Sequence, residues 1–213
     1  MNATTPDFGV YVHVPFCSRR CDYCAFATWD DKRELVRGYM DALLTEVRRA
    51  VETGLPPAVS VFVGGGTPSL VPADSLAAVI AAVPLLRGAE VTVECNPDNV
   101  TTDLLRTYRD AGVNRISLGV QSMVPHVLAA LGREHDPDNV RSAVEACRAV
   151  GIDNFNLDLI YGAHGESIDD WVTTVASTLA LEPPHVSAYA LTVEPGTPLA
   201  DDAPRHPDDD DQA

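Results

Sequence analysis

Six β-rich runs alternate with helical stretches along this 213-residue chain, and within the runs polar side chains alternate with apolar ones. The expected strands are Phe8–Val14, Val59–Val63, Glu90–Cys95, Asn114–Gly119, Asn154–Ile160 and His185–Leu191. Helical patterns fill Lys32–Thr53, Ala73–Leu86, Thr102–Ala111, Pro125–Leu131, Pro137–Val150 and Ser167–Leu181. Asp74 and Thr101 stand where N-caps are expected, and Gly112 and Gly151 where helices stop. Strand–helix alternation signals parallel βα units. Parallel strands covered by helices on both faces read as continuous apolar runs, and these do not. Tyr11 and His13 oppose Val10, Val12 and Val14; Thr92 and Glu94 oppose Val91 and Val93. Ser117, Gly119 and Gln121 oppose Ile116, Leu118 and Val120, and Asn154, Asn156 and Asp158 oppose Phe155, Leu157 and Leu159. With side chains alternating at period two, each strand has one face for helices and one polar face. A closed (β/α)8 barrel fills its interior with branched apolar residues. The pattern therefore favours an α/β fold of the open six-stranded parallel (β/α)6 type, a partial TIM barrel whose lumen holds a polar ligand.

Cys17, Cys21 and Cys24 follow the first strand with CxxxCxxC spacing, at the strand end where ligand loops of βα folds gather. Thiolates suit Fe–S clusters and zinc alike, but a structural zinc site takes four ligands and an electron-transfer cluster usually four cysteines. Three cysteines point to an open iron position on a [4Fe–4S] cluster. The competing readings are a zinc site with His13 as fourth ligand, or thiols grouped by chance. Cys147 reads as a small buried hydrophobe on a helix face, and Cys95 points away from Glu94, so neither is counted as a ligand.

The three-cysteine spacing resembles the radical S-adenosylmethionine (SAM) superfamily. Tyr11–Cys17, Gly64-Gly65-Gly66-Thr67-Pro68-Ser69, Leu118-Gly119-Val120-Gln121-Ser122 and Asn156–Gly162 are similar, in order, to motifs of its HemN/HemW branch. That branch holds oxygen-independent coproporphyrinogen III dehydrogenases and HemW-type heme chaperones. The resemblance covers roughly residues 8 to 200. It implies a radical SAM core with Cys17, Cys21 and Cys24 as cluster ligands and SAM on the free iron. It further implies SAM contacts at Tyr11, Tyr23, Gly65, Gly66, Thr67, Glu94, Gln121, Arg133, Asp158 and Thr192. Tyr23 and Thr192 contribute through the backbone, Glu94 accepts from ribose hydroxyls, and Arg133 pairs with the SAM carboxylate. His135, in Leu131-Gly132-Arg133-Glu134-His135, has a porphyrin or a local structural role; Ala163-His164-Gly165 replaces the Leu-Pro-Gly of many relatives.

Two functions follow from the resemblance: a chaperone that binds cluster, SAM and heme and passes heme to an unidentified acceptor protein, or a dehydrogenase of porphyrin biosynthesis. Dehydrogenases continue to CxxxCxxCxC, whereas here Cys24-Ala25-Phe26 puts an aromatic at the fourth position. The His-Asn-x-x-Tyr-Trp word associated with heme in the chaperones does not occur in this sequence. Five cysteines and no leader pattern in Met1–Asp7 fit a reducing cytoplasm. A net charge of −16 argues against nucleic acid, and no apolar run is long enough for a membrane span. Residues 201–213, with Asp208–Asp211, are expected to be a solvated acidic linker to a missing C-terminal region.

Overall fold

A computed structural model describes residues 8–207; Met1–Asp7 and the run Asp208–Asp211 lie outside the described residues. Six parallel strands, β1 (Gly9–Val14), β2 (Ala58–Gly65), β3 (Leu85–Cys95), β4 (Arg115–Gln121), β5 (Phe155–Tyr161) and β6 (His185–Ala190), pair in sequence order, so β1 and β6 are the two edges. The helices between them are α1 (Val36–Glu52), α2 (Ala73–Ala82), α3 (Thr102–Asp110), α4 (Pro125–Ala130), α5 (Pro137–Ala149) and α6 (Ile168–Leu179). This is the open α/β partial barrel that the alternation predicts.

Period two decides where the core lies. Val12, Val14, Val61, Val63, Val91, Val93, Ile116, Leu118, Phe155, Leu157 and Leu159 form one buried cluster with Leu76, Ile80, Leu105, Tyr108 and Val144 of the helices. Cys95 and Cys147 belong to the same cluster, and burial pushes both thiols up, Cys147 to about 12. They are packing residues. The polar residues of β3, β4 and β5 turn the other way, into the lumen.

Element ends follow local chemistry. Thr101 caps α3 by accepting from Leu104 N at 3.2 Å, and Ser167 and Asp170 form a reciprocal capping box at α6. Gly112 and Gly151 adopt φ of 102° and 78° after their helices, as expected of stop residues. Two expectations are corrected. Asp74 does not cap α2: Pro72 occupies that position and Asp74 lies in the first turn. Nor does the helix reach Leu86. Pro84 forces Val83 to an extended conformation (ψ 126°), the helix stops at Ala82, and Leu85 and Leu86 open β3, with Leu85 opposite Ala58.

The segment after β6 also departs from expectation. Leu199 (3% exposed) joins Val124, Val127, Leu131, Ile160, Ala163 and Leu191 in a second buried cluster. A short 3-10 turn follows at Ala203–Arg205. Arg205 pairs with Asp22 at 2.8 Å, so the chain keeps contact with the body past residue 200, where the linker was expected to begin.

Gly65 has φ +114°, and a Cβ there would meet the His13 ring at 2.5 Å. Gly151 has φ +78° with nothing within 4 Å of a Cβ. Gly65→Ala is expected to cost about 3 kcal/mol or more, strain plus collision, and Gly151→Ala about 1 kcal/mol, strain alone. Melting curves should show a drop of roughly 10 °C for the first and about 3 °C for the second; equal drops would refute the steric argument.

His135 is buried, and desolvation, reinforced by Arg133, holds its pKa down to about 4 from 6.5. The folded chain thus resists a proton that the unfolded chain accepts. The associated stability is complete above pH 6.5 and falls as pH drops toward 4, by about 2 kcal/mol between pH 7.5 and pH 5. Urea titrations at the two pH values should show this loss in the parent chain and a smaller one in His135→Gln. An identical loss in both would remove His135 as its cause.

Candidate cluster and nucleotide site at the barrel mouth

At the C-terminal ends of the strands lies a cavity of about 680 Å³, within the range of small-molecule sites. The loop after β1 brings Cys17, Cys21, Tyr23 and Cys24 to it; the loop after β2 brings Gly65, Gly66 and Thr67. Glu94, Gln121, Arg133, Asp158 and Thr192 complete the set, so twelve of the thirteen residues singled out in the sequence line one cavity. Tyr11 is the exception. It is 58% exposed, stacks on Phe62 and hydrogen-bonds to His13 Nδ1 at 3.1 Å. Two residues before His13 on β1, it does not line the cavity, and its expected cofactor contact is not supported by this placement.

The glycine triplet is required by close approach on three sides. A Cβ at Gly64 would strike Glu94 Oε2 at 2.6 Å, one at Gly65 the His13 ring, and one at Gly66 the Phe16 carbonyl oxygen at 2.6 Å. Thr67 N donates to Phe16 O at 2.7 Å and Gly66 N to Val14 O at 2.8 Å, which fixes this loop against the start of the cysteine loop. His13 Nε2 meets Ala27 O at 2.9 Å while Nδ1 meets Tyr11. Both ring nitrogens are therefore engaged away from the thiols, which disfavours His13 as a fourth zinc ligand. Among the described residues, no three His, Cys, Asp or Glu side chains are grouped closely enough to hold a single metal ion. Thiolates that each bind a different iron of a cluster need no such common point.

Arg133 carries the strongest local charge. It lies deep in the site, donating from Nη2 to Gly119 O at 2.7 Å and from Nη1 to Cys21 Sγ at 3.6 Å. Its Nε is buried without a partner. Gly119 makes room for it: a Cβ there would meet Gln121 Nε2 at 3.1 Å and Arg133 Nη2 at 3.4 Å. Gln121 has φ 64° at a break in the β4–β5 register, a left-handed conformation uncommon outside glycine. That backbone keeps Gln121 at the cavity past the strand end.

The carboxylates are held separately. Glu94 accepts from Gly65 N at 3.2 Å; burial raises its pKa, the Gly65 N–H lowers it and Asp158 raises it again. Asp158 accepts from Ser117 Oγ at 2.7 Å and Asn156 Nδ2 at 2.7 Å, and Asn156 also accepts from Ser187 Oγ at 3.2 Å. Hydrogen-bond donors, not cations, hold both groups. Ser117 was legible only as a lumen-facing residue, and its role in orienting Asp158 emerges from the β4–β5 register, which pairs Gly119 with Asp158. Burial pushes the Cys17 and Cys24 thiols above their ordinary value, so metal uptake here entails proton release.

These residues fit a [4Fe–4S] cluster with a small zwitterionic ligand. Three thiols supply soft ligands, and the Arg133 guanidinium beside Cys21 supplies a positive charge in the same cavity.

A sequence profile of the Radical SAM superfamily matches residues 11–177. The chain is 44% identical over 202 residues to the heme chaperone HemW of Mycobacterium tuberculosis, covering 91% of this chain and 52% of that protein. It is 37% identical over 211 residues to the heme chaperone HemW of Escherichia coli, covering 96% and 56% respectively. The chain thus spans about half the length of these relatives. Among solved structures it is similar to coproporphyrinogen III oxidase (HemN) from Escherichia coli, a radical SAM enzyme, with TM-score 0.83 and 26% identity over 98% of this chain and 49% of that one. The methyltransferase TsrM from Kitasatospora setae, solved with cobalamin and a [4Fe–4S] cluster, shares the fold at TM-score 0.67 and 17% identity over 89% and 38%. With the profile running from β1 into α6 and the three-cysteine loop set at the open end of the sheet between them, the chain belongs to the radical SAM superfamily.

Proposed function

We propose that this chain is the cluster- and SAM-binding core of a HemW-type heme chaperone, a protein that receives heme and passes it to an acceptor in the cytoplasm. The observation that carries the reading is the join of Cys17, Cys21 and Cys24 to Gly65, Gly66, Glu94, Gln121, Arg133 and Asp158 around one cavity, together with the identity to HemW relatives. Residues 8–207 form the binding body.

In this reading Cys17, Cys21 and Cys24 hold three irons of a [4Fe–4S] cluster. When bound, that group supplies reducing electrons and one iron open to the amino and carboxylate groups of SAM. Arg133 offers its guanidinium charge to the carboxylate, and the Gly65–Gly66 backbone, held closely against His13 and Phe16, lies beside the amino group. Glu94, with its remaining lone pairs, accepts from ribose hydroxyls. Gln121 and Asp158 contact the nucleoside from β4 and β5, while Tyr23 and Thr192 offer backbone groups.

Replacing Cys17, Cys21 or Cys24 with Ala is expected to abolish the SAM-responsive [4Fe–4S] signal in electron paramagnetic resonance of anaerobically reconstituted protein. Cys147→Ala should keep it, since that thiol is buried in the helix-side core. A normal SAM-responsive signal in the Cys21 variant would overturn the ligand assignment, and stoichiometric zinc without acid-labile sulfide would overturn the cluster itself.

Phe26 favours the chaperone over the dehydrogenase. It lines the cavity two residues after Cys24 and is 63% exposed, placing an aromatic side chain where dehydrogenase motifs have a fourth thiol. The full-length protein is expected to bind heme and, given SAM and a reductant without oxygen, to leave coproporphyrinogen III unconverted. Chromatographic detection of decarboxylated product well above a cluster-free control would favour the dehydrogenase instead.

A further inference from the structure

The middle of the cysteine loop is gripped from outside by the segment that follows β6. Asp22 lies between the second and third cysteines. Its carboxylate Oδ2 accepts from Arg205 Nη2 at 2.8 Å, and its backbone oxygen accepts from Leu199 N at 2.9 Å. The same Arg205 nitrogen donates to Ala130 O, at the end of α4, at 2.7 Å. Both partners of the ion pair are only about a quarter exposed (24% and 22%). Asp202 is the other carboxylate near Arg205, at 3.7 Å.

The segment is built for this contact. Thr197 is buried and closes a turn, donating from Oγ1 to Glu194 O at 2.7 Å and accepting from Ala200 N at 3.2 Å. Leu199 packs into the second core cluster, against which Tyr23 of the cysteine loop also packs. From the opposite side, Gly132 lets α4 approach: a Cβ there would meet Asp22 Oδ1 at 2.8 Å. Two elements distant in sequence, the 194–206 segment and the end of α4, thus meet on Asp22, and none of these contacts involves a thiol.

We propose that residues 194–206 are a strap that positions the three-cysteine loop, with Arg205 and Asp22 as the positioning residues. The metal-binding part of the proposal rests on Cys17, Cys21 and Cys24 being cluster ligands. A loop already held in its binding conformation spares the ordering cost at uptake and opens less often once loaded.

The test is Arg205→Leu in the 213-residue chain, with Arg106→Leu, which breaks an exposed pair on α3, as control and Arg205→Lys as the conservative variant. In metal-free protein, hydrogen exchange of the amides of Cys21–Cys24 should be about tenfold faster in Arg205→Leu, as loss of a charge-assisted hydrogen bond implies, while amides of β2–β4 stay unchanged. In reconstituted protein, iron loss to a chelator should quicken by a similar factor. Arg205→Lys should recover part of both, and Arg106→Leu should match the parent. Exchange and iron loss within twofold of the parent in Arg205→Leu would overturn the proposal, as would faster exchange spread evenly over the sheet. If Arg205→Leu does not fold, Asp22→Asn removes the same ion pair, and the same measurements apply. A parent chain that takes up no iron and sulfide would sink the cluster reading, and the metal-free exchange comparison would still decide the strap.

Discussion

The structure depends on polar side chains turned inward on a parallel sheet. Lumen groups out of water must find partners or cost free energy, and here they find them across strands: Ser117 on Asp158, Asn156 on Ser117, Ser187 on Asn156, the Gly65 N–H on Glu94. Because each contact needs adjacent strands in register, the lumen network and the sheet specify one another. A slip of one residue would bury Asp158 against the helices and bring Leu157 or Leu159 to the cavity.

The loops at the barrel mouth inherit this rigidity. Gly64, Gly65 and Gly66 are small because Glu94, His13 and the Phe16 backbone already occupy the space beside them. Glycine runs in ligand loops are usually read as room for the ligand; at these positions protein atoms fill that room, and the cavity beyond is left for it. His13 and the Phe16 backbone, which shape the glycine loop, therefore lie one layer behind the cavity lining, while Ser117 and Gly119 line it themselves.

Much of this was legible in the residues. The strands were found because period-two alternation survives in all the central runs, and the residues that line the cavity were singled out because their motifs follow strands at their C-terminal ends. What was missed failed for identifiable reasons. The apolar pattern of Ala77–Ala82 runs on into Val83 and Leu85, so the helix reading passed over Pro84, whose effect on its predecessor ends α2. Tyr11 shares the lumen face with His13, but alternation says nothing of depth, and it sits too early on β1 to reach the cavity. Residues 194–206 have no periodicity and a Pro- and Asp-rich composition. Their order comes from a partner 183 positions away, which no local window contains.

The cavity does not share the large negative excess of the whole chain. A net charge of −16 describes the surface, where carboxylates are solvated and screened within about 10 Å. Around the thiols the charges are mixed, the carboxylates of Glu94 and Asp158 lining the same cavity as Arg19, Arg20 and Arg133. Arg133 reaches Cys21 from inside, and Arg20 donates from Nε to the Cys24 carbonyl at 3.1 Å. Arg19 stands at the rim, paired with Glu134. In a partly desolvated pocket such contacts weigh far more than the distant excess of carboxylates. They stabilise thiolate over thiol and so oppose the burial that raises the Cys24 pKa. Net charge is thus a property of the surface, while the arginines nearest the sulfurs set the balance between thiol and thiolate at the mouth.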